Sequence, residues 1–313
     1  MRIAIFGAGG VGGYFGGRLA QAGEDIVFIA RGDHLKAMLT DGLRVDSVKG
    51  DFVVKPVQAA DDPEQVGVVD VIILGVKTWQ VNDAAQAMRP MVGPETVVLP
   101  LQNGVETPAH LAAVLGNQHV LGGLCALISF IVGPGHIRHA GFEPFVRLGE
   151  LDNHVSERVQ RLHEAFATAG VSVEIPPDIH AALWEKLLNV GPFGSLGAVS
   201  RAPIGVLMEL PETRKLMEQG MREIYEVART RNIALSEGIV DKAMAVLDKV
   251  PASGTSSLQR DIIAGKPSEL DAWTGSVVRL GKEVGVATPL HSFIYYSLLP
   301  MEIRARGQVE FQE

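Results

Sequence analysis

The sequence predicts an α/β domain with a parallel sheet, followed by an all-α domain. Short apolar runs alternate with helical patterns through the first half of the chain. A glycine-rich turn follows the first of these runs, and after Pro176-Pro177 the apolar residues recur with the period of a helix. We therefore expect one domain over residues 1–175 and a second over 176–313, and a length of 313 residues suits two domains.

The predicted sheet rests on four runs of apolar residues. Strands that are buried on both faces carry such runs, and parallel sheets covered by helices bury both faces. The runs are Ile3–Phe6, Ile26–Ile29, Val71–Leu74 and Val97–Leu99. Further β-type runs lie at 120–132, 137–148 and 171–175, with a turn at Gly133-Pro134-Gly135. The uncharged stretch 120–133 is shorter than the ~20 residues of a membrane span, so we interpret it as a buried strand.

Composition narrows the functional classes. A net charge of −8 and a pI near 5.6 argue against a nucleic acid or an anionic membrane as partner. The single cysteine, Cys125, excludes an intrachain disulfide and a cysteine-based zinc site, and we predict no metal site. One cysteine and an N-terminus unlike a secretion signal favour a soluble cytoplasmic protein.

A glycine motif directly follows the first predicted strand. Gly7-Ala8-Gly9-Gly10-Val11-Gly12 has the form G-x-G-x-x-G and opens a predicted helix. In Rossmann-type domains the first glycine makes a tight turn, the second admits a pyrophosphate and the third permits close helix–strand packing. Glycine is common in this chain (35 residues), so packing glycines are the alternative. The strand–turn–helix context favours dinucleotide binding by this turn.

The residue at the end of the second strand indicates which dinucleotide binds. Sites for NAD or FAD place an acidic residue there to hold the ribose hydroxyls. This chain has Arg31, whose guanidinium suits the 2′-phosphate of NADPH, although a solvated arginine is the alternative. We expect the nearby Asp33 to be the N-cap of the next helix. NADPH is therefore the predicted cofactor.

Three further positions carry candidate chemistry. Lys77 and Asn103 follow the third and fourth strands. Ligands of open α/β sheets bind at the carboxyl ends of strands, so we expect the glycine turn, Lys77 and Asn103 to converge on one crevice. Taken one at a time, Lys77 is explained equally well as an exposed loop lysine, and Asn103 as part of an Asn-Gly turn. In the helical half, Lys186 lies among apolar residues, where a lysine either snorkels or serves as a general acid desolvated toward neutrality. The residues alone thus predict an NADPH-dependent reductase with a candidate lysine.

The chain resembles the ketopantoate reductases (2-dehydropantoate 2-reductases) over essentially its whole length. The shared landmarks, in order, are GAGGVG, the strand-end Arg31, VKTWQ, QNGV, ALWEKL, SSLQRDI and SELDA. The resemblance implies a Rossmann domain followed by an all-helical domain, with the active site between them. The implied reaction reduces ketopantoate to pantoate with NADPH in pantothenate and coenzyme A biosynthesis.

The resemblance also implies roles for individual residues. Lys186 would give a proton to the ketone, and Lys77 and Asn103 would line the cofactor and substrate cleft. Ser257 would contact the substrate, and Glu269 would help to hold the lysine and the nicotinamide ribose. A homodimer through the helical domains is a further implication.

Three positions depart from the family pattern. Val190, Gly194 and Ile204 stand where members usually carry asparagine. On a helix Val190 lies about 40° from Lys186 and should face the pocket, while Asn189 lies about 60° to the other side and should replace one lost amide as a substrate contact. Pro192 should disturb the helix, since it cannot donate to the carbonyl four residues earlier. The substrate can therefore be either ketopantoate or a related 2-keto acid.

Two other functions stay open. A β-hydroxyacid dehydrogenase would also pair a Rossmann domain with a helical domain that bears lysine and asparagine, but the SSLQRDI and SELDA segments favour ketopantoate reductase. The three departures leave room for a non-catalytic NADPH sensor whose helical half binds a protein. The presence of Lys186, Ser257 and Glu269 argues against this alternative.

Overall fold

The structure is a computed structural model, and it describes residues 1–308. The chain divides into two units. The sheet unit comprises Met1–Gln102 and Thr107–Ile179. The helical unit comprises the chain from His180 together with a short earlier segment, Asn103–Glu106. The predicted order of fold classes, α/β followed by all-α, is confirmed.

The sheet unit contains two sheets within the described residues. Its strands are β1 (Arg2–Phe6), β2 (Asp25–Ile29), β3 (Leu43–Ser47), β4 (Phe52–Val54), β5 (Gln58–Ala60), β6 (Val69–Leu74), β7 (Val92–Pro100), β8 (Leu121–Gly133), β9 (His136–Glu150) and β10 (Ser172–Glu174). Its helices are α1 (Gly10–Gln21), α2 (Gly32–Asp41), α3 (Val81–Ala87), α4 (Thr107–Leu115) and α5 (Glu157–Thr168). The first sheet has the order β5-β2-β1-β6-β7, and every pair in it is parallel.

The first sheet is buried on both faces, which explains its continuous apolar runs. Ile3 and Ile5 of β1 belong to one core cluster with Phe15 of α1, and the alternate residues Ala4 and Phe6 belong to another with residues of α3. Successive side chains of a strand point to opposite faces, so a strand between two helical layers has no polar face.

The β-type runs after residue 120 form a second sheet rather than more strands of the first. Its order is β10-β9-β3-β4, with β8 antiparallel to β9. The interpretation of 120–133 as a buried strand is wrong for its second half. Leu121–Cys125 are buried, whereas Ile128 and Phe130–Val132 are exposed. The exposed half belongs to an edge strand and follows a register shift after Ala126, where the pairing with β9 continues away from the core.

The helical unit contains no strand among its described residues. Its helices are α6 (Ile179–Ser200), whose first residue groups with the sheet unit, α7 (Ile204–Glu209), α8 (Pro211–Thr230), α9 (Ile239–Leu247), α10 (Ser257–Ile263), α11 (Ser276–Glu283) and α12 (Pro289–Ala305). A π-helical turn, Asp271–Gly275, leads into α11. Within residues 1–308, no helix combines the length and apolar character that a bilayer crossing demands.

Pro192 lies inside α6, and the helix continues past it. The helix runs for 22 residues with Pro192 inside it. The proline ring lies against α8 at Gly220, where an added Cβ would stand 3.1 Å from Pro192 Cβ. The helix loses one backbone hydrogen bond at the proline, which is the disturbance that the sequence predicts, and the absence of a side chain at Gly220 leaves room for the ring.

Candidate active site

The glycine turn has the geometry that a dinucleotide site requires. Gly7 has φ +100°, a backbone conformation that glycine adopts without strain, and a Cβ on Gly12 would lie 2.8 Å from Ile5 of β1. Apart from Gly9 itself and its two neighbours in the chain, no described residue has an atom within 4 Å of where a Cβ on Gly9 would stand. The first glycine therefore makes the turn, the third brings α1 onto β1, and the second leaves room for a ligand.

The start of α1 can receive an anion. Gly9 is the N-cap and brings no side chain to satisfy the first N–H groups of the helix. Those groups have no partner within the helix, and the helix dipole adds positive potential at the same point. The turn and helix α1 therefore fit a pyrophosphate, and the same glycines hold the backbone open for it.

Three strand ends meet at this turn. The backbone N–H groups of Gly7 and Ala8 both donate to the Ile29 carbonyl at the end of β2, at 3.2 and 3.3 Å. A Cβ on Gly7 would lie 2.8 Å from Val76 Cγ1, immediately before Lys77. The ends of β2 and β6 therefore lie beside the glycine turn, and Arg31 and Lys77 follow them in the chain.

Arg31 is exposed and is the N-cap residue of α2. The prediction that Asp33 caps this helix is wrong, because the helix begins at Gly32 and Asp33 lies in its first turn. A carboxylate in the first turn is stabilised by the helix dipole without a capping bond, so the sequence signal is similar for both positions. Arg31 follows β2 with its guanidinium on the surface of the sheet unit.

Lys77 and Gln102 follow β6 and β7. Lys77 precedes a turn of 3₁₀-helix, and its Nζ lies 5.8 Å from the centroid of the Trp79 ring. Gln102 is buried, and its Nε2 donates to the carbonyls of Leu74 and Val76 at 2.8 and 2.9 Å. Gln102 therefore fixes the loop that carries Lys77. Gln102 is the first residue of the QNGV motif, which is the only feature of the sequence that points to this residue.

Asn103 and Glu269 come together in the helical unit. Asn103 Nδ2 donates to Glu269 Oε2 at 3.2 Å across 166 residues of sequence, and Glu269 is 6% exposed. The adjacent Gly104 has φ +98°, and a Cβ there would lie 2.9 Å from the Ala272 carbonyl oxygen. The Asn-Gly turn is therefore packed against the segment that follows Glu269, and the buried carboxylate has an amide donor.

A salt bridge anchors the far end of the Asn103–Glu106 segment. The Arg279 guanidinium contacts Glu106 Oε2 and Asp271 Oδ1, each at 2.7 Å. Tyr295 donates its hydroxyl to the same Asp271 oxygen at 2.9 Å. Burial, together with the Asp271 carboxylate, raises the pKa of Tyr295 to about 12, so the hydroxyl stays protonated and remains a donor.

The segment before Glu269 is fixed by α12. Ser268 is fully buried, and its N–H donates to the Glu302 carboxylate at 3.0 and 3.1 Å. Its hydroxyl donates to the same carboxylate, and Arg306 Nη2 donates to its carbonyl at 3.0 Å. Glu302 and Arg306 form an ion pair at 2.6 Å. Both the N–H and the C=O of Ser268, the residue before Glu269, are therefore hydrogen-bonded to side chains of α12 or of Arg306 just after it.

Lys186 lies on α6, half-buried, with buried Trp184, Leu187 and Leu188 around it in the sequence. Asn189 uses its Nδ2 to donate to the Glu185 carbonyl of its own helix at 2.9 Å. Its Oδ1 is buried and has no hydrogen-bond partner among the described residues. Asn189 therefore offers an acceptor, while its donor is occupied by the helix backbone.

The three positions that depart from the family pattern are packed in different ways. Val190 is half-buried and contacts the helical core, and Ile204 is 1% exposed within that core. A Cβ on Gly194 would lie 2.6 Å from Trp273 Cζ3. The Trp273 ring thus takes the space that a side chain at position 194 would need, a coupling that no sequence pattern indicated.

Ser257 is the first residue of α10, and it is half-buried. The preceding Ser256 caps this helix, since its hydroxyl accepts from Gln259 N–H at 2.9 Å. The cap fixes the first turn of α10 and with it the position of Ser257. Among residues 1–308, no three histidine, cysteine, aspartate or glutamate side chains are grouped to hold a metal ion.

Comparison with known proteins identifies the family. The family model "Ketopantoate reductase PanE/ApbA" matches residues 3–153, and the model of its C-terminal part matches residues 178–302. A 2-dehydropantoate 2-reductase of Nostoc sp. is 32% identical over 98% of both chains.

Two solved structures have the same fold over nearly the whole chain. A PanE/ApbA family ketopantoate reductase from Ralstonia eutropha superposes with a TM-score of 0.89 at 33% identity, covering 98% of this chain and 100% of that one. A 2-dehydropantoate 2-reductase from Geobacter metallireducens gives 0.90 at 31% identity, covering 96% and 99%. The chain is thus an oxidoreductase with a Rossmann-like unit and a helical unit. It belongs to the ketopantoate reductase family and is of the 2-dehydropantoate 2-reductase type.

Proposed function

We propose that this protein reduces 2-dehydropantoate, or a closely related 2-keto acid, to the 2-hydroxy acid with NADPH, as in pantothenate and coenzyme A biosynthesis. The hydrogen bond between Asn103 and Glu269 carries the proposal. The resemblance singles out each of these residues separately, and they lie 166 positions apart. Their pairing in the unit that also carries Lys186 supports a shared role.

In this proposal the sheet unit holds the cofactor. The open backbone at Gly9 and the N–H groups at the start of α1 would bind the pyrophosphate. Arg31 would bind the 2′-phosphate with two charge-assisted hydrogen bonds. Lys77 and Gly10 would line the same site, together with Ala8 and Val11 of the glycine turn.

The helical unit would supply the proton chemistry. A nicotinamide cofactor, when bound, would supply the hydride that the carbonyl carbon accepts. Lys186 Nζ would donate a proton to the carbonyl oxygen, which prevents a full alkoxide charge from accumulating. Glu269, held by Asn103 and the Ser268 segment, would orient the lysine and the nicotinamide ribose. Ser257 and Asn103 would bind the polar groups of the substrate.

Asn189 and Val190 bear on which keto acid fits. Asn189 Oδ1, which has no partner among the described residues, would supply at most one of the contacts that asparagines at the three departing positions would make. Val190 and Ile204 bring no polar group, and Trp273 occupies the space at Gly194. A 2-keto acid with a less polar tail than ketopantoate is therefore favoured over ketopantoate itself, because a buried polar group without a partner costs about 1–3 kcal/mol.

The role of Lys186 is tested by substitution. Lys186→Ala should lower kcat by about 10²–10⁴, the scale of a lost general acid, and should leave the Kd for NADPH near that of the wild type. Rates come from NADPH absorbance, and binding comes from NADPH fluorescence. Lys215→Ala, on the exposed face of α8, removes an equal charge and serves as the matched control. A kcat for Lys186→Ala within threefold of the control would remove the lysine from the mechanism.

A further inference from the structure

We propose that His34 is a positioning residue for the dinucleotide turn, acting through the Ala8 carbonyl. The inference rests on the proposed binding of NADPH at this turn. His34 lies in the first half of α2, and its imidazole reaches two separate backbone segments.

The hydrogen bonds of His34 fix its tautomer. The backbone N–H of Gly135 donates to Nδ1 at 3.0 Å, so Nδ1 carries a lone pair rather than a proton. Nε2 lies 2.9 Å from the Ala8 carbonyl oxygen, which can only accept. The ring is therefore neutral, with its proton on Nε2. Burial lowers the pKa of His34, against the opposing effect of the Ala8 bond, and so favours this neutral form.

One side of the ring is attached to a fixed point. Gly135 lies in the turn between β8 and β9 with φ +65°, and a Cβ there would stand 3.1 Å from Ala37 Cβ of α2. Its carbonyl accepts from Arg44 N–H at 2.9 Å. This hairpin turn is thus packed on α2 and bonded to β3, so it holds the imidazole plane while the other nitrogen reaches the glycine turn.

The other side of the ring controls a backbone donor. The N–H groups of Gly7 and Ala8 are both taken by the Ile29 carbonyl. In a trans peptide the C=O and the following N–H point in opposite directions. Holding the Ala8 carbonyl toward His34 therefore turns the Gly9 N–H away from it, at the residue whose surroundings are open. His34 in this way presets the direction of an N–H that a pyrophosphate would meet.

Two amide substitutions separate this role from a general packing role. A glutamine carboxamide reaches the position of Nε2 and can donate to Ala8, whereas an asparagine carboxamide reaches only that of Nδ1 and can accept from Gly135. His34→Gln should keep the Kd for NADPH within about twofold of the wild type. His34→Asn should raise it about fivefold to tenfold, the scale of one hydrogen bond. KM for NADPH should follow Kd, with a smaller change in kcat at saturating cofactor.

His110→Asn, at an exposed histidine of α4, is the control for the change of residue type. Thermal unfolding of each variant reports whether the fold is retained. The inference is overturned if the two His34 variants weaken NADPH binding equally, or if His34→Asn binds NADPH like the control. Either result leaves the proposed reductase intact. Wild-type protein that binds NADPH but reduces no keto acid overturns the proposed function alone, and wild-type protein that binds no dinucleotide overturns both.

Discussion

At the scale of single residues, Arg31 carries the choice of cofactor. Its guanidinium can pair with a 2′-phosphate, and NADH has none. Arg31→Ala should therefore raise KM for NADPH at least tenfold, which is about 1.4 kcal/mol of lost interaction, and leave KM for NADH nearly unchanged. Lys36→Ala removes a charge from the exposed surface of the same helix and is the matched control. Equal use of both cofactors by the wild type would contradict this assignment.

Val190 and Gly194 offer a second residue-scale test, because asparagine can be introduced at each. Val190→Asn should raise kcat/KM for ketopantoate relative to a 2-keto acid with a less polar tail, since it returns an amide beside Lys186. Gly194→Asn should bring no such gain and should destabilise the fold, because its Cβ would stand 2.6 Å from the Trp273 ring. Steady-state kinetics with both substrates measure the ratio of the two kcat/KM values in each variant. A fall in kcat/KM for ketopantoate in Val190→Asn would mean that Asn189 already supplies the contact.

At this scale the sequence predicts local backbone conformations but not contacts between distant residues. The conformations of Gly7 and Gly12 follow from the motif, because each glycine answers a local steric demand. The partners of Glu269 do not follow, since its contact to Asn103 joins positions that are distant in the chain. The steric conflict between Trp273 and a side chain at position 194 does not follow from the sequence either. It depends on how the π-helical turn packs against α6.

At the scale of secondary structure elements, Glu223 of α8 joins two helices by capping the start of α12. Its carboxylate accepts from the N–H groups of Leu290 and His291 at 2.9 and 3.1 Å, and His291 Nδ1 lies 2.7 Å away. Burial raises the pKa of Glu223, but these hydrogen bonds and the His291 side chain outweigh it and bring the pKa below its ordinary 4.5. A lowered carboxylate pKa stabilises the fold above the unfolded value, and that stability is lost as pH falls through the folded value.

Glu223→Gln should therefore lower the free energy of unfolding by about 2 kcal/mol at neutral pH, as expected for buried donors that lose a charged acceptor. The difference from the wild type should shrink as the pH falls below 4.5, because the carboxylate of the unfolded wild type binds a proton first and that of the folded protein does so at lower pH. Denaturant unfolding over this pH range measures the effect. Glu218→Gln, in an exposed pair with Arg222, should change stability by less than about 0.5 kcal/mol. A Glu223→Gln difference that does not vary with pH would refute the electrostatic explanation.

The sequence predicts strands correctly where both faces of the strand are buried. The runs Ile3–Phe6 and Val71–Leu74 became central parallel strands, because helices cover both faces of the first sheet. The second sheet was not foreseen as a separate sheet. Its strands β3 and β9 pair across a long stretch of chain, and the exposed end of β8 carries apolar residues that look like a core segment in sequence.

At the scale of the whole molecule, sequence indicated the change from α/β to helical structure but could not assign Asn103–Glu106. This segment groups with the helical unit, where it contacts Glu269 and Arg279. In the sequence, however, it lies between the two stretches of chain that form the sheet unit. Such an assignment depends on side-chain pairing between distant positions, which composition and periodicity do not report. The homodimer through the helical unit stays a prediction, and so does the meeting of Lys77 and Asn103 in one crevice.

The central claim is that this chain is an NADPH-dependent reductase of a 2-keto acid. The most direct measurement mixes the purified protein with NADPH and, in turn, with ketopantoate and a panel of 2-keto acids of decreasing tail polarity, while absorbance follows NADPH. We predict consumption of NADPH in preference to NADH, with ketopantoate reduced more slowly than at least one acid with a less polar tail. Protein that binds NADPH but consumes none of it with any of these acids would contradict the account and would favour a non-catalytic sensor.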